Sequence, residues 1–193
     1  MHPTSTALFA YLNSLILLNQ TEIEELRTLL IPTTLQRGKF LAEENKVCEH
    51  IAFISKGYFR IYLTQDINEI TTHLSGPSEF ISSFSSFLNQ VPSIESVQAI
   101  TDSEVLLLDY KTLQKLYDKN HRFERIGRLV IEKYFTVKDA QVVSFIKDTA
   151  ENRYKKLLAE HPEFILNIPL QYIASFLGVK PETLSRIRAK SIS

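Results

Sequence analysis

The chain has a single cysteine, Cys48. One thiol rules out an intramolecular disulfide and a four-cysteine zinc or iron–sulfur site within one chain. No window holds about 18 to 20 uninterrupted apolar residues, so nothing reads as a membrane span. The opening stretch MHPTSTALFAYLNSLILLNQ is apolar, but it lacks the basic leader and small-residue cleavage site of a signal peptide. A cytoplasmic address is the expectation. Low-complexity and Pro/Gly-rich tracts are also missing. With 193 residues, 44% hydrophobic and 23% charged, the chain can bury a real core in one large domain or two smaller ones.

The most informative absence is local. From Ile61 to Tyr110, 50 consecutive residues contain no Lys or Arg, while seven acids lie in the same span. A phosphate held there would meet no local countercharge and several repulsive ones. Catalytic constellations are missing as well. There is no nucleophile–base pair, phosphate loop or metal motif. His50 and His73 stand alone in strand-like segments with no H-x-H spacing, so a metal-dependent barrel enzyme is not expected. Each reads as a surface or satisfied histidine. Whether Cys48 is a redox-reactive thiol stays open at this level.

The zero formal net charge hides a split. Residues 151–193 hold seven Lys/Arg against four Asp/Glu, and residues 1–150 hold 15 against 18. The partner of a basic end differs from that of an acidic front half.

Two helices are expected first, at 5–18 and 21–30, the second with Thr21 as N-cap and Glu24 closing a capping box. From about Thr33 to Asp109 the period changes. Turn signals RGKF and SKGY punctuate short runs rich in Ile, Phe, Tyr, Val and Thr: HIAFIS, YFRIYLT, EITTHLS, SVQAI and EVLLLD. Short strands at this spacing predict an antiparallel barrel or sandwich.

Helix returns at 110–120, and a long helical segment follows at 122–148 with Gly127 its one breaker. Phe123, Ile126, Val130, Tyr134 and Val137 form one seam. Leu129, Ile131, Phe135, Val142, Phe145 and Ile146 add apolar surface elsewhere around the axis. Such a helix is covered on more than one side. It is either a core helix of one subunit, or it covers the barrel with one face and pairs with a second copy through the other. Its length, close to 40 Å at about 1.5 Å per residue, favours the pair, and the seam is the expected dimer interface.

The basic end, PLQYIASFLGVKPETLSRIRAK, reads as helix, tight turn, helix, after a short helix at 151–160. Pro169 and Pro181 suit N1 positions, and Gly178 supplies the positive φ that ends the first helix. Ile173, Ala174 and Leu177 give one inner face, Leu184 and Ile187 the other. This is the helix-turn-helix layout, whose second helix enters the DNA major groove. Lys180, Glu182, Thr183 and Arg186 lie near its outer, N-terminal side, where Arg pairs with guanine and Glu accepts from cytosine. Arg188 and Lys190 suit phosphate contacts.

These residues carry a family resemblance. KPETLSR at 180–186 resembles the S-R-E-T-[VL]-[GS]-R recognition helix of the cyclic-AMP receptor protein/FNR transcription regulators. With RYKKLLAEHPEF and PLQYIASFLG, the tail is similar to the shorter Bacteroidetes-type members. The resemblance extends over nearly the whole chain. It implies an α+β fold: a cyclic-nucleotide-binding-like β-roll sensor at 1–121, a dimerisation helix at 122–148, and a helix-turn-helix at 149–193. It implies a homodimer on double-stranded DNA with a roughly palindromic operator. Glu182 and Arg186 match the family's base-contacting pair, while Pro181 replaces its first Arg. Lys180 replaces the capping Ser, a loss of about 1 kcal/mol at the helix end. With the chain stopping at Ser193, a reduced wing or none is expected.

The family's phosphate cassette maps onto EFISSFSSFLNQVPSIESVQ at 79–98. Ser82, Ser83 and Phe84 fall where Gly-Glu-Leu stands in nucleotide binders, and Ile94 or Glu95 where the phosphate Arg stands. A pocket here would be lined by Glu79, Phe80, Ser82, Ser83, Phe84, Glu95 and Ser96, would not take cyclic AMP, and would serve an unknown small-molecule effector or none. No cofactor is expected. The competing reading is a ligand-binding or protein-interaction module whose helix-turn-helix no longer reads DNA.

Overall fold

The computed structural model describes residues 3–192, with side chains from residue 5 to residue 190. Helices α1 (Pro3–Leu15) and α2 (Gln20–Leu29) lead into eight strands: β1 (Ile31–Leu35), β2 (Phe40–Ala42), β3 (His50–Lys56), β4 (Phe59–Gln65), β5 (Asn68–Ser75), β6 (Phe80–Ile81), β7 (Ser96–Ala99) and β8 (Ser103–Asp109). Helix α3 (Phe84–Asn89) interrupts the strands. Six helices follow: α4 (Tyr110–Lys119), α5 (His121–Lys147), α6 (Ala150–Glu160), α7 (Pro162–Asn167), α8 (Leu170–Phe176) and α9 (Pro181–Ile192).

The strands form two four-stranded sheets, ordered β1-β8-β3-β6 and β2-β7-β4-β5. Every strand pairing is antiparallel. Between the sheets lies a core built on Ile54, Phe59, Ile61, Phe87, Val97 and Val105. The first sheet is buried on both faces, because α1 and α5 cover its outer side through Phe53, Leu106, Leu8, Phe123, Ile126 and Val130. Burial on two faces explains the unbroken run VLLL in β8, where a half-exposed strand would alternate.

Several local expectations need correction. The capping box of α2 is set by Asn19 and Glu22, not by Thr21 and Glu24. Glu22 is preferred because it also reaches Arg122 on α5, at 2.7 Å. Pro169 is the N-cap of α8, not its first helical residue. Pro162 does more than stop α6: it starts α7, with Glu163 in the first turn. The first turn of a helix leaves its N–H groups unbonded, so proline fits there at no cost.

Three residues of the expected dimer seam turn inward, while Val137 is exposed. Phe123, Ile126 and Val130 are buried in their own subunit against α1 and the first sheet. Tyr134 lies half-buried against Phe84, ring centroids 4.3 Å apart. The apolar surface left exposed on α5 is a different stripe, which includes Phe135 at 69% and Ile146 at 78% exposure. A helix this apolar has two candidate faces, and only the packed barrel decides which one turns inward.

Candidate nucleic-acid interface and sensor pocket

Helix α8 ends in a full Schellman turn. Gly178, at φ +69°, donates to the Ser175 carbonyl at 3.0 Å, and Val179 donates to the Ala174 carbonyl at 3.0 Å. The turn sends α9 back across α8. Ala174 and Leu184 are both 0% exposed at the crossing, with Ile173, Leu177 and Ile187 around them. A larger residue than alanine at 174 would hold the helices apart.

Packing Leu184 and Ile187 inward fixes what faces out. Lys180, Glu182, Thr183, Arg186 and Lys190 are exposed, and Arg188 is half-buried beside Leu184. Thr183, Arg186 and Lys190, spaced three and four apart, share one stripe of the helix. Among the described residues no ion pair engages Lys180, Arg186 or Arg188, so these cations face solvent uncompensated. No wing strand is described; that expectation concerns the chain beyond Ile192 and lies outside the described residues.

The helix-turn-helix unit does not hang free. Its core includes Leu74 of β5 and Ile100, both from the sensor side. The Thr71 N–H of β5, an edge strand, donates to Ser175 Oγ of α8 at 2.8 Å. Arg60 of β4 is 3% exposed. It bonds Gln98 Oε1 at 2.6 Å and Glu69 Oε2 at 2.5 Å. Its guanidinium lies between two rings, 4.1 Å from that of Tyr62 and 3.9 Å from that of Tyr172 on α8. Sequence reasoning missed this clamp. The one hint was that Arg60 is the last cation before the 50-residue gap.

The seven expected pocket residues divide. Ser82, Ser83 and Ser96 are buried within the β-roll, in a hydrogen-bonded mesh. Ser83 Oγ pairs with Ser93 Oγ at 2.9 Å, Ser93 Oγ donates to the Glu95 carbonyl at 2.6 Å, and Ser82 Oγ donates to the His50 carbonyl at 3.0 Å. Cys48 is sealed beneath, 1% exposed, its Sγ 3.3 Å from Ser82 Oγ. Each of the three expected serines thus has a hydrogen-bond partner inside the β-roll, Ser96 accepting from the Glu44 N–H at 3.1 Å. Glu95 is half-buried, and burial pushes its carboxyl above the usual range against a hydrogen bond from Ser83.

Of the cations that could serve a phosphate here, Arg60 is committed to the clamp. Lys138 of α5 is the one whose charge is felt at Glu95. Its ammonium donates to the Thr72 carbonyl at 3.1 Å, and burial lowers its pKa.

Glu79, Phe80 and Phe84 belong elsewhere. They line a cleft of about 620 Å³ between the β-roll, α5 and the helix-turn-helix unit, with His73, Tyr134 and Phe164. Burial raises the Glu79 carboxyl, opposed by the Gly76 N–H it accepts at 3.0 Å. Burial drives the His73 imidazole down to about 3, helped by the charge of Lys138. Among the described residues no group of three or more His, Cys, Asp or Glu is arranged to hold a metal ion. No described helix is long and apolar enough to cross a membrane.

Residues 32–120 match the family model of the cyclic nucleotide-binding domain. That span covers β1 to β8 and α4, with the serine mesh inside it. The likeness to solved structures extends on through α5 to the helix-turn-helix. FixK2 from Bradyrhizobium japonicum superposes with a TM-score of 0.74 at 17% identity, covering 83% of each chain. A putative Crp/Fnr-family transcriptional regulator from Eubacterium rectale gives 0.69 at 17%, covering 91% of this chain and 84% of its own. The fold is the one these structures share. CLP from Xanthomonas campestris, a c-di-GMP-responsive global regulator, gives 0.68 at 16%, over 89% and 91%. No curated protein matches this chain by sequence. At these identities the likeness is one of fold, and the chemistry of the sites rests on the residues above.

Proposed function

We propose that this protein is a dimeric, sequence-specific DNA-binding transcription regulator of Crp/Fnr type whose β-roll does not take cyclic AMP. The observation that carries the reading is the exposed outer side of α9, where Arg186 has no ion-pair partner among the described residues. Glu182, Thr183 and Arg186 stand exposed on a helix whose opposite side is locked into a packed helix-turn-helix. A charged helix kept for solubility alone needs no Schellman turn and no buried alanine at its crossing. Arg186 and Glu182 would read base edges, and Lys180, Arg188 and Lys190 would hold phosphates. The sensor at 1–121, the helix at 122–148 and the reader at 149–193 are the working division.

Exposed Phe135, Val142 and Ile146, with half-buried Ile131, are spaced four, seven and four apart along α5. A coiled-coil partner would cover that stripe. A second copy there would present two recognition helices to a pseudo-palindromic operator. Against cyclic AMP stand the serines already bonded within the β-roll, the acid Glu95 near the phosphate position, and the commitment of Arg60 elsewhere. Phosphate binding to so acidic a wall is electrostatically opposed.

The test is selection from random duplex DNA with wild type and Arg186→Ala in parallel, without ligand. Enrichment of a palindrome by the wild type and not by the variant supports the regulator. DNA affinity indifferent to Arg186→Ala would favour the competing reading, an interaction module whose helix-turn-helix no longer reads sequence. Micromolar affinity for cyclic AMP in a calorimetric titration would overturn the sensor half of the reading.

A further inference from the structure

Helices α5 and α6 are separated by two residues, Asp148 and Thr149. So short a joint can act as a hinge, yet both residues are tied. The Asp148 N–H donates to the Ser144 carbonyl at 2.9 Å, and its Oδ2 accepts from Lys156 at 2.6 Å. Thr149 Oγ1 accepts from the Asn152 N–H at 3.3 Å. Beside the joint stands Arg153 of α6. Its Nη1 donates to the Asp148 carbonyl at 2.7 Å. Its Nε and Nη2 donate to the Leu177 carbonyl at 3.2 and 2.8 Å. The guanidinium lies 4.8 Å from the centre of the Phe145 ring on α5.

Asp148 and Leu177 are the C-caps of α5 and α8. Carbonyls at a helix C-terminus lack intrahelical partners and form the negative end of the helix dipole. One cation therefore closes two helix ends at once. The planar fork fixes the directions of its N–H groups, so the two ends are held at one mutual angle. The turn itself leans on α5: a Cβ on Gly178 would stand 3.0 Å from Phe145 Cε1. The sensor grips α8 elsewhere, at Tyr172 and Ser175. Arg153 holds the last residue of that helix, from which the chain turns into α9.

We propose that Arg153 is the positioning residue of the recognition helix: it locks the α8–α9 turn to the end of α5 and so fixes the angle of α9 to α5. Its consequence for DNA rests on the regulator reading above. Where two copies pair along α5, that angle sets the distance between the two recognition helices, and hence the one half-site spacing an operator can have.

The experiment compares the wild-type background with Arg153→Met, which keeps much of the stem and removes the donors. Spin labels on Arg125→Cys and Ser185→Cys, both exposed positions, report the distance from α5 to α9 without DNA. Cys48, 1% exposed, is shielded from the label. Labelled chain is diluted with unlabelled chain, so that distances within one copy are read. The expected result is one narrow distance with Arg153 in place and a distribution about twofold broader with Arg153→Met. In selection from random duplex DNA, the unlabelled wild type should enrich half-sites at one spacing, and the variant the same half-site at several. Affinity for the wild-type operator should fall roughly tenfold or more, while affinity for an isolated half-site stays unchanged, which a merely destabilised reader would not show. If Arg153→Met does not fold, Arg153→Gln replaces it. An unbroadened distance, a single spacing kept by the variant, or equal losses on operator and half-site would each overturn the proposal. A wild type that enriches no palindrome overturns the DNA reading instead, and the label distance still decides the positioning.

Discussion

Arg60→Met tests whether the reader is held to the sensor by the buried clamp. Methionine keeps much of the stem and removes the cation. Three interactions go with it: hydrogen bonds to Gln98 and Glu69, the Tyr62 face and the Tyr172 face. Hydrogen bonds to a charged group contribute about 1.5–3 kcal/mol, and each ring about 0.5–2 kcal/mol. Removing one partner of a fully buried pair costs about 3–5 kcal/mol. Glu69, however, has a side chain 46% exposed, so water takes over its charge and the loss falls to about 2 kcal/mol. For a chain of this length, that is a drop of about 4–8 °C in melting temperature. The loss should be shared by Tyr172→Ala, and the double variant should show a coupling of about 0.5–2 kcal/mol. Local opening reads out separately. The Thr71 amide, bonded to Ser175 across the junction, should exchange faster in Arg60→Met, while amides in the paired interior of β8 keep their protection. If the variant melts with the wild type, or the Thr71 amide exchanges no faster, the clamp does not hold the two units together.

Three further outcomes are expected. Gly127→Ala places a Cβ 1.8 Å from the Tyr117 hydroxyl, so it should destabilise by about 1–3 kcal/mol and be partly rescued by Tyr117→Phe in a thermal melt. Folding holds the His73 pKa down at about 3 against an ordinary 6.5, so its contribution is present above 6.5 and lost as pH falls toward 3. His73→Phe should flatten the pH dependence of stability in that window, and a variant that tracks the wild type throughout would refute the assignment. Phe135→Asp, on the exposed stripe of α5, should sediment as a monomer where the wild type sediments as a dimer. A wild-type monomer, or an unaffected variant, would count against that face as the interface.

The helix-turn-helix was legible because its signals are local. A turn glycine, a proline at the start of α9 and two short apolar sets at helical spacing determine both helices and their crossing within about twenty residues. The five strands rich in β-branched and aromatic residues were legible for the same reason. Strands β1, β2 and β6 were not: IPTTL begins at the proline that seemed only to end a helix, and FLA and FI are too short to show a period. The seven residues expected in the cassette were treated as one pocket, and the structure divides them. The chain leaves β6 after Ile81, and the irregular step into α3 buries both Ser82 and Ser83 in the β-roll while Phe80 and Phe84 reach the cleft; so short and irregular a segment shows no period.

The sequence by itself determined the order of the longer elements and the split between an acidic front half and a basic end, because charge and periodicity are properties of neighbours along the chain. Tertiary structure alone decided which face of α5 turns inward, that Arg60 reaches from β4 to α8, and that Glu79 opens onto a cleft. Those depend on residues brought together across up to about a hundred positions, such as Arg60 and Tyr172. Side-chain packing and desolvation select among faces that a periodic pattern leaves equivalent.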